Sequence, residues 1–105
     1  MKRGEVWDAQ LPAFIKSRPV LILSRDSMPQ ARPEITVAYL TRKPRNPRIE
    51  VALTAADDGV DMDSVVNLDS INTIPKVRLV KRICQLSPAK MFEVKKAILE
   101  ALDMK

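Results

Sequence analysis

The residues of this chain best equipped for chemistry are cations. Positions 42 to 48 read Arg-Lys-Pro-Arg-Asn-Pro-Arg, so Arg42, Lys43, Arg45 and Arg48 crowd into one short stretch with no acid between them. The two prolines cannot donate to a ladder or sit inside a helix, which makes the stretch a loop. Such a loop suits phosphate oxygens, because guanidinium offers a planar fork of donors and ammonium a point charge. The acids gather elsewhere, at Asp57, Asp58, Asp61, Asp63 and Asp69. The run around Gly59 lacks the alternating oxygen ligands and closing Glu of a calcium loop, so it reads as a solvated turn. Histidine is absent, which removes the usual proton carrier at neutral pH and the commonest zinc ligand. Cys84 is the only cysteine. Lying in the apolar phrase Arg82-Ile83-Cys84-Gln85-Leu86, it reads as a buried strand thiol. No metal and no cofactor is expected.

The chain around these residues has 105 positions, 46% of them hydrophobic and 30% charged, which predicts a single domain over residues 1–105 rather than a disordered chain. The formal charge of +5 is moderate, and the clustering of cations, more than their excess, points to a nucleic acid partner. The charged start Met1-Lys2-Arg3-Gly4-Glu5 is unlike a signal peptide, and no apolar run approaches a membrane span. The expectation is a soluble, cytoplasmic protein without membrane contact.

Pattern along the chain supplies the elements. Gly4 to Leu11 is expected as a strand ended by Pro12. Pro19-Val20-Leu21-Ile22-Leu23 is a continuous apolar run, the pattern of a strand buried on both faces. Ile35 to Thr41 is a third strand, rich in β-branched and aromatic residues. Ile49 to Thr54 alternates with period two, as a half-exposed strand does. Ser64 to Leu68 and Ile71 to Ile74 read as two short strands, Pro75 begins a turn, and Lys81 to Leu86 is the last strand. Ser87 and Pro88 then open a helix as N-cap and first residue. Its apolar stripe is Met91, Val94, Ile98 and Leu102. The fold class is therefore α+β, a small barrel-like antiparallel β-sheet with a C-terminal amphipathic helix.

Two segments carry a family resemblance. Lys2-Arg3-Gly4-Glu5-Val6-Trp7 resembles the opening Lys-Arg-Gly-Asp/Glu strand of the MazF/PemK (Kid-type) toxins. Ser17-Arg18-Pro19-Val20-Leu21-Ile22-Leu23-Ser24 is similar to their Arg-Pro-Val strand, the most specific motif of the group. The likeness continues in order. Val37-Ala38-Tyr39-Leu40-Thr41 is similar to the strand ending in Thr or Ser. Asp63 to Asp69 resembles the Ser/Gly-Val strand that ends in an acid, and Leu86-Ser87 leads into the final helix.

The resemblance implies a barrel-like sheet with short helices, assembled as a homodimer whose interface forms an RNA groove. It implies metal-independent cleavage of single-stranded RNA at short sequences, and a cognate antitoxin protein that blocks the groove. The positions matching the family's functional residues are Arg18, Thr41 and Asp69. Attack by the RNA's own 2′-hydroxyl needs a base, donors to the phosphate and a proton for the leaving oxygen. Arg18 suits the phosphate as a two-pronged donor, Thr41 offers it one hydroxyl, and Asp69 is expected as general base or as the orienter of Arg18. Ser70 and Asn72 stand where Gln and a basic residue are common, so they are expected to contact RNA bases. Arg42, Lys43, Arg45 and Arg48 follow Thr41 as a phosphate-contacting rim. The Pro12 to Ser17 loop departs from the family in being short and free of Gly. Two other readings stay open: a CcdB-like toxin that binds DNA gyrase, and a catalytically dead RNA-binding relative.

Overall fold

The computed structural model describes residues 1–12 and 16–104. Among these, six strands pair: β1 (Glu5–Ala9), β2 (Arg18–Ile22), β3 (Glu34–Thr41), β4 (Glu50–Leu53), β5 (Ser64–Pro75) and β6 (Leu79–Gln85). They form one antiparallel sheet in the order β4-β5-β3-β2-β1-β6. Val51 and Leu53 of one edge strand share a core cluster with Cys84 of the other. The sheet thus curls toward a barrel without a ladder joining β4 to β6 among the described residues. Residues 13–15 of the short Pro12 to Ser17 loop lie outside the described residues.

The apolar run in β2 is buried on both faces, as its composition predicts. Leu21 joins a cluster with Val6, Leu40, Val66 and Leu68, whereas Val20 and Ile22 join a second with Ile35, Val37 and Leu79. β3 alternates in the same way, Ala38 and Leu40 entering the first cluster and Ile35 and Val37 the second. A sheet with an apolar core on each side resists register slip, since a one-residue shift would exchange the two sets of side chains.

Where two short strands were expected, the structure has one. β5 runs the twelve residues from Ser64 to Pro75, interrupted by a bulge opposite β3. Tyr39 faces Asn67 and Ala38 faces Ile71, which leaves Leu68, Asp69 and Ser70 without a partner on β3. The bulge is secured locally: Asn67 Oδ1 accepts the Asp69 N–H at 2.9 Å, Asn67 Nδ2 donates to Ser70 Oγ at 3.3 Å, and the Leu68 N–H reaches the Ile49 carbonyl at 3.1 Å. Bulges of this kind bend a strand and re-aim its side chains.

The expected acidic turn contains a short helix, α1 (Ala55–Asp58). Thr54 caps it by accepting the Asp57 N–H at 3.1 Å, and the Thr54 N–H donates to Asp58 at 2.8 Å. Gly59 ends it at φ 84°, in the left-handed region that favours glycine, and a Cβ there would lie 3.0 Å from Cys84 Cβ. Asp63 accepts the Ala55 N–H at 2.9 Å. Three of these acids therefore serve as loop fasteners or stand at the helix start.

The final helix α2 (Pro88–Ala101) opens as its sequence predicts, with Ser87 accepting the Lys90 N–H at 3.2 Å and proline in the first turn. Val94 and Ala97 are buried, and Met91 and Ile98 pack beside them on the first cluster. Leu102 leaves the predicted stripe. It is the C-cap, past the last helical residue, and is 55% exposed. Lys90 Nζ ties the helix to β4 through the Ala52 carbonyl at 2.9 Å.

Candidate active-site cleft

Sheet register builds the site. β2 and β3 pair as Val20 with Tyr39, Leu21 with Ala38 and Ile22 with Val37. Carried two residues further, that register sets Thr41, the last residue of β3, across from Arg18, the first of β2. Two residues far apart in sequence are thus brought to the same end of the sheet. Both line a cleft of about 590 Å³ at this end of the sheet. Arg18 is half-buried, and its Nη2 donates to the Leu40 carbonyl at 3.5 Å, a long contact. Thr41 Oγ1 accepts the Lys43 N–H at 3.3 Å. That bond uses the oxygen's lone pair and leaves the hydroxyl proton for a ligand.

The cleft's charged lining is mixed but predominantly basic. Lys16, Arg18, Arg42 and Lys43 stand against Asp8 and Asp61. Met62 and Val60 form part of the wall, with Arg42 Nη1 at 2.9 Å from Met62 Sδ. Ser64 also lines the cleft, and its Oγ is a buried polar atom without a hydrogen-bond partner among the described residues. A buried hydroxyl left unsatisfied is unfavourable until a ligand or water reaches it. Neither Asp8 nor Ser64 is evident from sequence, because only the register of β1 on β2 and of β5 on β3 brings them to Arg18 and Thr41.

The basic run divides. Arg42 and Lys43 enter the cleft, but Arg45 and Arg48 do not line it. Glu50 folds the loop back by accepting the N–H groups of Arg45 and Asn46, both at 3.1 Å. Arg48 pairs with Glu100 of α2 at 2.9 Å, beside a second cleft of about 370 Å³ between loop and helix. Asp69, Ser70 and Asn72 form a separate group on β5. Asp69 is exposed on the bulge, Ser70 is bonded to Asn67, and Asn72 is exposed opposite Val37. None of the three lines the cleft with Arg18 and Thr41.

Glu5 and Cys84 have displaced titration. Burial raises the pKa of Glu5, yet the Lys2 N–H, Arg82, Trp7 and the N-terminal ammonium together outweigh it and hold the carboxyl at about 2. The donors lie at 2.8 Å for Lys2, 2.8 Å for Arg82 and 3.2 Å for Trp7. Glu5 thereby fastens β1 to β6. Burial pushes the Cys84 thiol up, against the pull of Arg82 and with help from Asp58 and Asp61. A protonated, buried thiol is neither nucleophile nor ligand. Among the described residues no three His, Cys, Asp or Glu side chains converge as metal ligands.

Comparison with known proteins gives concordant relatives. The family described as PemK-like, MazF-like toxin of type II toxin–antitoxin system matches residues 2–102. A probable endoribonuclease MazF2 of Mycobacterium tuberculosis is 42% identical over 93 residues, covering 89% of each chain. The solved Mycobacterium tuberculosis toxin MazF-mt6 superposes with a TM-score of 0.84 at 34% identity, over 96% of this chain and 98% of that one. A mycobacterial endoribonuclease solved in complex with its cognate antitoxin superposes with a TM-score of 0.87 at 26% identity, over 100% of this chain and 97% of the other.

Proposed function

We propose that this chain, which belongs to the PemK-like, MazF-like toxin family, is an endoribonuclease that cuts single-stranded RNA as the toxin of a toxin–antitoxin pair. The observation that carries the reading is that Arg18, at the start of β2, and Thr41, at the end of β3, line the same basic cleft. The nucleophile is the 2′-hydroxyl beside the scissile phosphate. Its proton goes to a base, the 2′-oxygen bonds to phosphorus, and the bond to the 5′-oxygen breaks. That oxygen keeps the electron pair and takes a proton from solvent. The products are a 2′,3′-cyclic phosphate and a 5′-hydroxyl. Because the substrate supplies its own nucleophile, the reading requires neither metal nor cofactor.

Charge grows on the non-bridging phosphate oxygens as the 2′-oxygen attacks. Arg18 meets two of them with its planar fork and Thr41 donates its hydroxyl proton, so both contacts strengthen toward the transition state. Arg42 and Lys43 hold flanking phosphates, and Arg45 and Arg48 continue the cationic path beyond the cleft. Asp69 and Ser70, on the bulge of β5, and Asn72 just beyond it contact nucleotides on either side of the cut and set its sequence. Two copies of the chain together form the groove, and an acidic antitoxin segment covers it in the cytoplasm. A CcdB-like gyrase binder has no use for Arg18 and Thr41 in one basic cleft, and two of the relatives named above bear the name endoribonuclease, one of them as a probable one.

Purified protein incubated with a long single-stranded RNA tests the proposal. Sequencing of the new ends is expected to show cuts at a short recurrent motif, with 5′-hydroxyl ends. Intact RNA at enzyme excess would refute it.

A further inference from the structure

The reaction needs a proton acceptor inside the cleft, and neither residue of the phosphate clamp can be it. A guanidinium has donors and no acceptor, and the Thr41 hydroxyl is a donor there. With no histidine in the chain, carboxylates remain. Asp8 and Asp61 line the cleft, whereas Asp69 does not. Asp61 is exposed, between strands. Asp8 is half-buried on β1, where the sheet holds its backbone from both sides, opposite Pro19 of β2 and Lys81 of β6. Its neighbour Ala9 is the residue facing Arg18. Strand alternation turns Asp8 to the face opposite Ala9 and Arg18, and Asp8 and Arg18 meet where both line the cleft at the end of the sheet.

Its bonding state also sets it apart. Glu5, on the same strand, accepts from a backbone N–H, an indole and a guanidinium. By contrast, no hydrogen bond or ion pair among the described residues engages the Asp8 carboxylate. An anion in a cleft that receives phosphate works against binding, and of the two that line it only Asp8 lies on a strand paired on both sides.

Resting on the endoribonuclease reading, the geometry points to Asp8 as the general base that takes the proton from the attacking 2′-hydroxyl. The O–H bond breaks toward an Asp8 oxygen as the 2′-oxygen bonds to phosphorus. Asp8 then releases the proton to solvent when the product leaves. The charged groups that face it are Lys16, Arg18, Arg42, Lys43 and Asp61 around the cleft and Lys81 across the ladder.

The test measures single-turnover cleavage of an RNA oligonucleotide against pH, and RNA affinity separately, for the native protein and for Asp8→Asn, Asp8→Glu and Asp69→Asn. General-base loss lowers rates by about 100-fold to 10,000-fold, so Asp8→Asn is expected to fall into that range and to lose the rise of rate with pH at the acid end. Its affinity for RNA is expected to hold or increase, because an anion has left the cleft. A merely structural role would not produce that combination. Asp8→Glu keeps a carboxylate and is expected to retain the acid-end rise at a reduced rate. Asp69→Asn is expected to keep the pH profile. A near-native rate for Asp8→Asn, or loss of the acid-end rise in Asp69→Asn instead, would overturn the assignment while leaving the nuclease reading intact. Failure of the native protein to cut any RNA would overturn both.

Discussion

At Arg18, charge and geometry predict different things. Arg18→Lys keeps the cation but loses the planar fork that spans two phosphate oxygens. Loss of a well-placed donor at such a site lowers the rate by about 100-fold to 1,000-fold. A fall of that size is expected for lysine and at least as large a fall for alanine, with RNA affinity much less affected, measured as single-turnover rate against binding. A native rate in Arg18→Lys would make the residue structural. Glu5 gives a second prediction of a different kind. Its carboxyl is held at about 2 against an ordinary 4.5, so on acidification the unfolded chain binds the proton first. The stabilisation is complete above pH 4.5 and disappears as pH falls toward 2. Glu5 is 12% exposed in its side chain, and the shift corresponds to about 3 kcal/mol at most. Glu5→Gln is therefore expected to unfold at lower urea than native protein at pH 7, with the two converging near pH 2. Arg18 and Thr41 stand out in the sequence because their motifs carry them in order along the chain, and the fold brings both to one cleft. Asp8 does not stand out, since an acid in the phrase Trp7-Asp8-Ala9 reaches the cleft only through the folding of the sheet.

Among the elements, local pattern was legible wherever one residue set decided the conformation. The apolar run of β2, the period-two alternation of β4 and the Ser87-Pro88 start of α2 each fix their element without help from distant contacts. β5 was read as two pieces because its bulge residues break the alternation, and only pairing with β3 on both sides makes them one strand. Leu102 matched the helical spacing, but the helix ends before it. Ser87→Ala removes the cap that accepts the Lys90 N–H, and is expected to lower stability by about 1 kcal/mol with an unchanged urea slope. A changed slope would mean that α2 detaches from the sheet altogether. The basic loop also read as one element and proved to be two halves, one in the cleft and one held by Glu50 and Glu100. Salt dependence of RNA binding separates them, at a log–log slope of about −0.7 for each phosphate neutralised on a single strand. Replacing Arg42 and Lys43 by Gln is expected to flatten the slope by about 1.4, and replacing Arg45 and Arg48 by Gln to flatten it less. The reverse order would place the RNA path along α2.

For the whole molecule, the exposed apolar side chains include Val77 and Val80 around the start of β6 and Phe92 and Leu102 on or beside α2. Sedimentation at micromolar concentration is expected to show twice the 11.8 kDa chain mass, and a species of single mass only would contradict a groove shared by two copies. The account as a whole depends on where the nucleophile comes from. An RNA oligonucleotide with one deoxyribose at the scissile position lacks the attacking hydroxyl but keeps every phosphate that Arg18, Thr41, Arg42 and Lys43 would hold. Its cleavage and binding, measured beside the all-ribose oligonucleotide, test that claim most directly. The modified strand is expected to bind with nearly the same affinity and remain uncut. Cleavage at a comparable rate would make water the nucleophile and contradict the mechanism built on this cleft.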